Sequence, residues 1–446
     1  MFVLAMRSIR QRPGRFAATL LSAFLGAVIV MTFNAMHDTA GAAGVDDVSA
    51  ESLTTAAAVV GGYGTLLVFF AVASTLTVNV RQRSEEISLL RSTGATPAQI
   101  KRMIVGESAA VALVGAVLAI GPAVLGGQAL LDQFQESGQV AGSVDYAFGP
   151  IALSSGISVT LLASVAAAFL AVRRATKALA GARKERGRMR NLAAWGALVV
   201  GAASVSTTFA MDETDAAAMA PPAYGAILLA VGFALFSPVL LTGLLGRLRG
   251  PITALAGASG YLTVHNMRRR AAELSGVLMP LIVFTGMATA TLYMQAVESD
   301  AIEASGLTKS VEDKNLETLN FVVVGIIVVF SCIMLINSLY AATSYRRREF
   351  GQQRLAGATP GQVMGMVGVE GLVLTVTGVF LGTVAAVAGI LPFTMLRTDA
   401  VWPGDQGPGI WLAVVGVAAA ATLITSLGTA RGTLRTPAVQ AVAVAA

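Results

Sequence analysis

The chain is poor in the residues that build most soluble enzymes and metal sites. Only 13% of its 446 residues are charged, and it has one cysteine, Cys332, and two histidines, His37 and His265. A single cysteine excludes an intrachain disulfide, and two isolated histidines offer no ligand cluster for a metal. A soluble domain carries about 25% charged residues. The composition therefore argues against a soluble enzyme.

The sequence also contains no glycine–lysine pair, so the phosphate-binding loop G-x-x-x-x-G-K-[ST] is absent. We therefore predict that the chain is not itself an ATP-hydrolysing enzyme. If ATP drives its activity, a separate subunit must bind and hydrolyse the nucleotide.

Long apolar stretches dominate instead. Hydrophobic residues make up 55% of the chain, and its mean hydropathy is +0.72. A helix needs about 20 apolar residues to cross a membrane, and its backbone polar groups must be paired within the segment. We predict an all-α polytopic membrane protein with about ten transmembrane helices. The predicted spans 1–10 are Phe16–Met36, Ser52–Val80, Ser108–Leu131, Tyr146–Val172, Asn191–Met211, Ala216–Gly246, Leu274–Val297, Thr318–Tyr345, Gly371–Leu396 and Gln406–Ala430.

The distribution of positive charge predicts the orientation in the membrane. With both termini in the cytoplasm, three of the 31 lysine and arginine residues face outside, namely Lys309, Lys314 and Arg397. Cytoplasmic loops of membrane proteins carry an excess of such residues. The formal charge of +6 therefore reflects topology and contact with anionic lipid, and it does not indicate a nucleic-acid partner.

Two halves of the sequence repeat one another. The segment EEISLLRSTGATPAQIKRM starts at Glu85, and EFGQQRLAGATPGQVMGM starts at Glu349. Within these blocks Glu86 matches Glu349, an offset of 263 residues. Around the blocks the offset is 258 residues, as between Arg10 and Arg268. We predict two parallel four-helix repeats joined by a two-helix linker. The predicted boundaries are 1–190, with an elbow at 85–103; 191–250 for the linker; and 251–446, with an elbow at 349–366.

The repeated segment has the local chemistry of a sharp turn between two helices. Gly94 suits the left-handed conformation that ends a helix. Thr96 is a good N-cap, Pro97 suits the first helical position, and Gln99 completes a T-x-x-Q capping box. The second elbow repeats this chemistry with Thr359, Pro360 and Gln362. Two such elbows indicate paired docking points for a dimeric partner; the alternative is a plain connector copied by duplication.

The first elbow carries a family resemblance. The stretch RSEEISLLRSTGATPAQI, followed by Glu107 and Ser108, resembles the FtsX-like permease family of ATP-binding cassette (ABC) transporters, also called the MacB-like or type VII group. The resemblance is good for spans 2–4 and 8–10 and weaker for spans 1 and 7. Ten spans in one chain are similar to the bacitracin-export branch, in which two ATPase subunits serve one permease.

The chain departs from that branch in two places. The apolar pair Leu89–Leu90 of the first elbow is replaced in the second by Gln352 and Gln353, so the second half is expected to hold its partner less tightly. The branch has a large extracellular domain between spans 7 and 8, whereas Glu298–Glu317 is a short polar loop. The short loop argues against docking to a periplasmic adaptor.

The resemblance implies partners and site residues. Thr93–Ile100 and Ala356–Val363 would be coupling helices in grooves of an ABC ATPase dimer on the cytoplasmic face. ATP and magnesium would bind that dimer, and this chain would bind no cofactor. Local ion pairs at a solvated helix end explain the charged residues equally well. The implied ATPase-coupling residues are Glu86, Arg91, Gly94, Ala95, Thr96, Pro97, Gln99, Glu349, Arg354, Gly357, Ala358, Thr359, Pro360 and Gln362.

Two carboxylates lie near the predicted cytoplasmic ends of apolar spans. Glu107 precedes span 3 and Glu370 precedes span 9. Carboxylates inside a membrane are costly and often functional. So close to the boundary, however, each can reach water or pair with a basic residue such as Arg102. We therefore favour a structural role over a role in coupling.

Small residues recur at a spacing of four in spans 3 and 9. They are Gly115 and Ala119 in span 3, and Gly378 and Gly382 in span 9. Such spacing allows transmembrane helices to pack closely. We predict close helix contacts at these positions.

The leading functional hypothesis is the permease subunit of a bacterial ABC exporter in the cell membrane. It would extrude an amphipathic compound, such as a peptide antibiotic, a lipid or a drug-like molecule, by mechanotransmission. One alternative is a non-transporting scaffold that transmits force to an extracellular or sensor partner; the short outer loops count against it. Another is an ATP-independent secondary carrier, against which the paired elbows and the lack of mid-span charges count.

Overall fold

The computed structural model describes most of the chain. The described residues are 17–58, 72, 75–76, 89–90, 92–178, 183–212, 218–247, 249–304, 325, 329, 332–336, 338–340, 342–343, 346–398, 400–404 and 406–443. Within these ranges the regular secondary structure is entirely helical.

Most of the described helices are long, and two of them have fewer than ten residues. Their bounds are α1 Ala17–Ala40, α2 Pro97–Glu136, α3 Pro150–Ala178, α4 Arg183–Thr207, α5 Ala220–Arg247, α6 Arg249–Arg269, α7 Ala271–Ala304, α8 Arg347–Leu355, α9 Pro360–Arg397, α10 Gly409–Leu434 and α11 Ala438–Ala443. Residues 47–58 are also helical, and Thr208–Ala210 form a 3₁₀ turn. Helix α6 is broken at Gly257, whose φ of 55° is left-handed.

Eight of the described helices are long and apolar enough to cross a membrane. They are α1–α5, α7, α9 and α10, and they coincide with predicted spans 1, 3, 4, 5, 6, 7, 9 and 10. Predicted spans 2 and 8 lie largely outside the described residues. The prediction of an all-α polytopic membrane protein is confirmed, while the predicted domain boundaries stay a prediction.

The first compact unit contains α1, α2 and α3, which pack against one another. Its core is built from small side chains that let helix backbones approach, as is common in membranes. A Cβ added at Gly115 of α2 would lie 3.0 Å from the backbone nitrogen of Phe24 in α1. The buried cluster consists of Ala27, Met31, Ala116, Ala119 and Ala123. The predicted packing role of Gly115 and Ala119 is therefore confirmed.

The second compact unit is centred on α7, which packs against α5 and α9. A Cβ added at Gly382 of α9 would lie 2.7 Å from Thr285 Cβ and 2.8 Å from the Ile282 carbonyl oxygen of α7. Only glycine fits so close a crossing without displacement. The predicted close contact at Gly382 is confirmed.

The two units use the same helix pair in the same register. Gly115 of α2 faces Ala23 of α1, and Gly378 of α9 faces Leu281 of α7. Gly115 and Gly378 are 263 positions apart and Ala23 and Leu281 are 258 apart, which are the two offsets of the sequence repeat. The sequence repeat is thus matched by repeated helix packing.

Candidate functional site at the helical elbows

The second elbow joins α8 to α9 through a helix-ending glycine. Gly357 has a φ of 97°, a left-handed conformation that costs other residues free energy. The Ala358 N–H donates to the Gln353 carbonyl (2.9 Å), and the Gly357 N–H donates to the Arg354 carbonyl (3.1 Å). These two bonds form a Schellman motif, which satisfies carbonyls left open at the end of α8.

A capping box starts the next helix at once. Thr359 has φ −74° and ψ 153°, and its Oγ1 accepts from the Gln362 N–H at 3.3 Å. In return, Gln362 Oε1 accepts from the Thr359 N–H at 2.8 Å. Pro360 occupies the first turn, where its missing N–H costs nothing. The chain direction at this elbow is therefore specified by local bonds.

The first elbow has the same geometry. Gly94 has a φ of 92°, and the Ala95 N–H donates to the Leu90 carbonyl at 2.9 Å. Thr96, with φ −71° and ψ 152°, forms the reciprocal capping box with Gln99 at 3.3 and 2.9 Å. The predicted turn chemistry is confirmed in both copies. The candidate residues Glu86 and Arg91 lie outside the described residues, as does the side chain of Pro97.

Both elbows present exposed surface beside their caps. The exposed residues are Thr96, Ala98 and Gln99 in the first copy and Thr359, Gly361 and Gln362 in the second. Ala95 and Ala358 are half-buried. An exposed leucine flanks each elbow: Leu89 is 67% exposed and Leu355 is 57% exposed. Single exposed apolar side chains are common on protein surfaces, so these leucines by themselves do not mark a docking site.

Removing the threonine cap should weaken the second elbow. Replacing Thr359 with alanine deletes one half of the capping box, and such losses cost about 0.5–2 kcal/mol. We expect the amides of Gly361 and Gln362 to exchange hydrogen faster in the variant, measured by hydrogen–deuterium exchange in detergent. Thr398→Ala, at the far end of α9, is the control. Equal protection of the elbow in wild type and Thr359→Ala would contradict the capping role.

A hydrophobic core fastens α8 to α9 behind the second elbow. Phe350 of α8 is buried against Val363, Met366 and Val367 of α9 and Ala430 of α10. The apolar side chains lie three and four residues apart on α9, so they share one helix face. The elbow is therefore the tip of a packed helical hairpin.

Behind this core lies a buried arginine, Arg346, which is 5% exposed. Its Nε and Nη2 donate to Glu349, both at 2.9 Å. Its Nη2 also donates to Glu370 Oε1 at 3.1 Å, and its Nη1 donates to Glu370 Oε2. The guanidinium carbon lies 4.9 Å from the centroid of the Phe350 ring. One guanidinium thus bridges two carboxylates from α8 and α9.

A second arginine completes the charge balance. Arg270, at the junction of α6 and α7, approaches Glu349 at 3.8 Å and donates to the Ala342 carbonyl at 3.4 Å. Burial raises the pKa of Glu349, but hydrogen bonds and charge from Arg346, with the charge of Arg270, outweigh it and hold the pKa below its usual range. Burial lowers the pKa of Arg346, but the two carboxylates outweigh it and raise the pKa. Arg346 and Glu349 are therefore charged near neutral pH.

The structure decides how the two carboxylates near the spans are held. Two alternatives were expected, contact with water or pairing with a basic residue; Glu370 is 8% exposed and Glu107 is 2% exposed, so burial favours pairing over contact with water. The partner of Glu370 is Arg346, on a different helical segment. Arg102, the suggested partner for Glu107, is exposed on α2. The structural role favoured for Glu107 and Glu370 over a role in coupling stays a prediction.

The candidate residue Arg354 holds the C-terminal segment. Its Nη1 donates to the carbonyls of Leu434 at 3.1 Å and Thr436 at 2.8 Å. Beside it, Gly351 lies under α11, where an added Cβ would meet Ala441 at 3.0 Å. Guanidinium groups suit the exposed carbonyls at a helix end. Arg354 thereby fastens α8 to the end of α10.

The comparison with protein families agrees with this geometry. A model of the FtsX-like permease C-terminal domain matches residues 58–179 and 321–438, which together are more than half of the chain. The chain belongs to the FtsX-like permease family. No curated protein matches this permease. Each matched segment of the permease contains one elbow and the long helix that follows it, α2 or α9.

Two residues of this site, Arg346 and Gly351, were not predicted from the sequence. Arg346 is one of three consecutive arginines, and the exposed Arg347 and Arg348 cannot be told from it by sequence alone. The repeat held a signal, because Arg346 matches Arg83 at the offset of 263. Gly351, which contacts α11, matches Ser88 in the first half, and that difference gave no warning of the contact.

Proposed function

We propose that this permease is the transmembrane subunit of an ABC exporter. Separate ATPase subunits bind ATP and magnesium, form a dimer on the cytoplasmic face and dock at the two elbows. Closure of the dimer displaces both elbows, and the helices that follow them carry the displacement across the membrane. The result is extrusion of an amphipathic compound, of the peptide-antibiotic, lipid or drug-like class, by mechanotransmission.

One observation carries the proposal: the chain builds the same elbow twice. The glycine, the capping threonine and the reciprocal glutamine have nearly equal torsion angles and hydrogen-bond lengths in both copies. A dimeric partner needs two equivalent contacts, and a symmetric ATPase dimer offers two equivalent grooves. Membership in the FtsX-like permease family supports the same assignment.

The helices after the elbows are long enough to connect a partner to the membrane. Helix α2 has 40 residues and α9 has 38. At 1.5 Å per residue each is about 60 Å long, roughly twice the hydrocarbon thickness. Their first turns therefore extend beyond the hydrocarbon core, where a soluble ATPase can reach the elbows.

The proposal places the permease in the bacterial plasma membrane with both termini and both elbows in the cytoplasm. Support comes from the positive-inside rule, because three of the 31 basic residues would face outside. The proposed organisation keeps a first four-helix repeat over 1–190, a two-helix linker over 191–250 and a second repeat over 251–446.

The substrate class follows from the polarity of the described spans. Charged side chains of the described helices lie near the helix ends, as Glu107, Glu370 and Arg397 do. The buried polar groups deeper in α7 and α9 are uncharged, such as the hydroxyls of Thr285, Thr289 and Thr377. Such surroundings suit a molecule with a large apolar part and few charges. This supports an amphipathic compound over an inorganic ion.

The test is co-purification with a candidate phosphate-loop ATPase subunit. Ala98→Trp combined with Gly361→Trp places one large side chain on the exposed face of each elbow, at positions matched by the 263 offset. The caps remain intact, and an added Cβ at Gly361 has no atom nearer than 3.9 Å. We expect the wild type to retain the ATPase and the double variant to lose it.

The control carries the same bulk away from the elbows. Gly142→Trp with Gly404→Trp alters one exposed loop position in each half, where an added Cβ meets no atom within 4 Å. We expect this control to retain the ATPase. Loss of the ATPase from both double variants, the one at the elbows and the control, would contradict docking at the elbows. An ATPase that never binds the wild type would overturn the proposal and favour the secondary carrier.

A further inference from the structure

The hairpin formed by α8 and α9 is fastened at three levels. At its tip are the Schellman motif of Gly357 and the capping box of Thr359. In the middle, Phe350 packs against Val363 and Met366. At its open end, beside the start of the apolar span, lies the buried pair of Arg346 and Glu370. The first two levels are local or apolar, and the third is ionic.

The ion pairs of Arg346 differ from the other contacts between α8 and α9, because they are directional. Arg346 binds Glu349 through Nε and Nη2 and Glu370 through Nη1 and Nη2, so one planar group fixes two carboxylates at once. Such forked bonds are directional, because both carboxylates must lie in the guanidinium plane. Hydrophobic packing such as that of Phe350 is not directional and lets helices slide or tilt.

The same cluster reaches the segment that begins α7. Arg270 lies 3.8 Å from Glu349, and it donates to the carbonyl of Ala342. Two arginines and two glutamates therefore balance one another across the α6–α7 junction, α8 and α9. Separating any of these helices would leave a buried polar group without its partner, which is unfavourable. The open end of the hairpin therefore resists deformation.

We infer that Arg346 is a positioning residue that makes α8, the elbow and the first part of α9 one rigid lever. A partner that displaces the elbow then moves the start of the membrane span by a matching amount. Without the bridge, α8 can tilt against α9 when the elbow is displaced. This inference rests on the proposed function, because it concerns how the docked ATPase acts on the permease.

The sequence repeats the four charged positions in the first half. Arg83, Glu86 and Glu107 match Arg346, Glu349 and Glu370 at the offset of 263, and Arg12 matches Arg270 at the offset of 258. Glu107 is buried, as Glu370 is. Arg12, Arg83 and Glu86 lie outside the described residues. A lever in each half would suit a partner that pushes both elbows together.

The test uses a variant that keeps the fold and removes the bridge. Arg346→Met combined with Glu370→Met replaces the buried pair with apolar side chains of similar length, a change that is often neutral for stability. Glu349 keeps Arg270 as its partner. The control is Arg348→Met, which removes an exposed arginine of the same helix. If the double variant does not fold, Arg346→Lys keeps the charge and removes only the fork.

The first measurement concerns the permease alone. Spin labels are placed at Gln352→Cys on α8 and Phe380→Cys on the exposed face of α9, in a Cys332→Ala background. We expect double electron–electron resonance to give a narrow distance distribution for the wild type and for Arg348→Met. The double variant should give a clearly broader one. Equal widths in all three would overturn the inference without any reference to an ATPase.

The second measurement concerns the complex with the candidate ATPase subunit. We expect the double variant to bind the ATPase as the wild type does, while the permease-dependent stimulation of ATP hydrolysis falls on the order of tenfold. A merely structural role of Arg346 would leave stimulation unchanged once the complex has formed, and that result would overturn the inference. Failure of the wild type to bind the ATPase would instead overturn the proposed function, and the spin-label widths would still decide whether the lever exists.

Discussion

Replacing Arg346 alone with methionine should lower the free energy of unfolding by about 3–5 kcal/mol, the usual cost of removing one partner of a buried ion pair. The change leaves Glu370 buried without the guanidinium that binds both of its oxygens. Thermal unfolding in mild detergent, followed by intrinsic fluorescence, measures the loss. The effect should exceed that of any single substitution on the exposed face of α8, where changes are usually within about 0.5 kcal/mol.

Two companion variants make this prediction specific. Arg348→Met removes an exposed arginine two positions along the same helix and should leave the unfolding temperature unchanged. Adding Glu370→Met to Arg346→Met should recover most of the stability, since the uncompensated buried charge is then gone. Equal destabilisation by Arg346→Met and Arg348→Met, or no recovery in the double variant, would contradict the ion-pair account.

The second large effect is expected at the crossing of α7 and α9. In Gly382→Ala the new methyl group would lie 2.7 Å from Thr285 Cβ, 2.8 Å from the Ile282 carbonyl oxygen and 3.0 Å from the Gly286 nitrogen. Two of these atoms belong to the backbone and cannot rotate away. Overpacking of this kind costs about 1–3 kcal/mol. We expect a lower unfolding temperature in detergent and weaker protection of α7 amides from hydrogen exchange.

Gly416→Ala is the matched control for this crossing. Gly416 lies on an exposed face of α10, where an added Cβ meets no atom within 4 Å. Alanine is favoured over glycine within a helix by about 1 kcal/mol, so this variant should be as stable as the wild type or more stable. A stable Gly382→Ala would show that α7 and α9 do not cross so closely in the membrane.

The elbows could be predicted from the sequence because their chemistry is local. Every bond in the capping box of Thr359 and Gln362 joins residues three positions apart. The helix-ending bond that precedes it spans five positions, from Ala358 to Gln353. The spacing of residues in the sequence is therefore enough to predict which backbone and side-chain groups form these hydrogen bonds. The same reasoning recovered Gly94 and Thr96 in the first half.

The surroundings of the elbows could not be predicted in this way. In the sequence, Arg354 is a charged residue beside the turn. In the structure it donates hydrogen bonds to the carbonyls of Leu434 and Thr436, about 80 positions later in the chain. Gly351 reads as an ordinary helical glycine, yet it lies under α11. Contacts so distant in the chain depend on how helices pack, which hydrophobic periodicity does not specify.

The sequence by itself determined the class of the protein, most of its membrane spans, its internal repeat and its two elbows. These features depend on the length of apolar runs and on bonds within one turn of helix, so each can be read from a short window of residues. Only the tertiary structure decided that Arg346, rather than its neighbours Arg347 and Arg348, is buried between Glu349 and Glu370. The physical reason is desolvation: which of three adjacent arginines loses water depends on the helices that close around it.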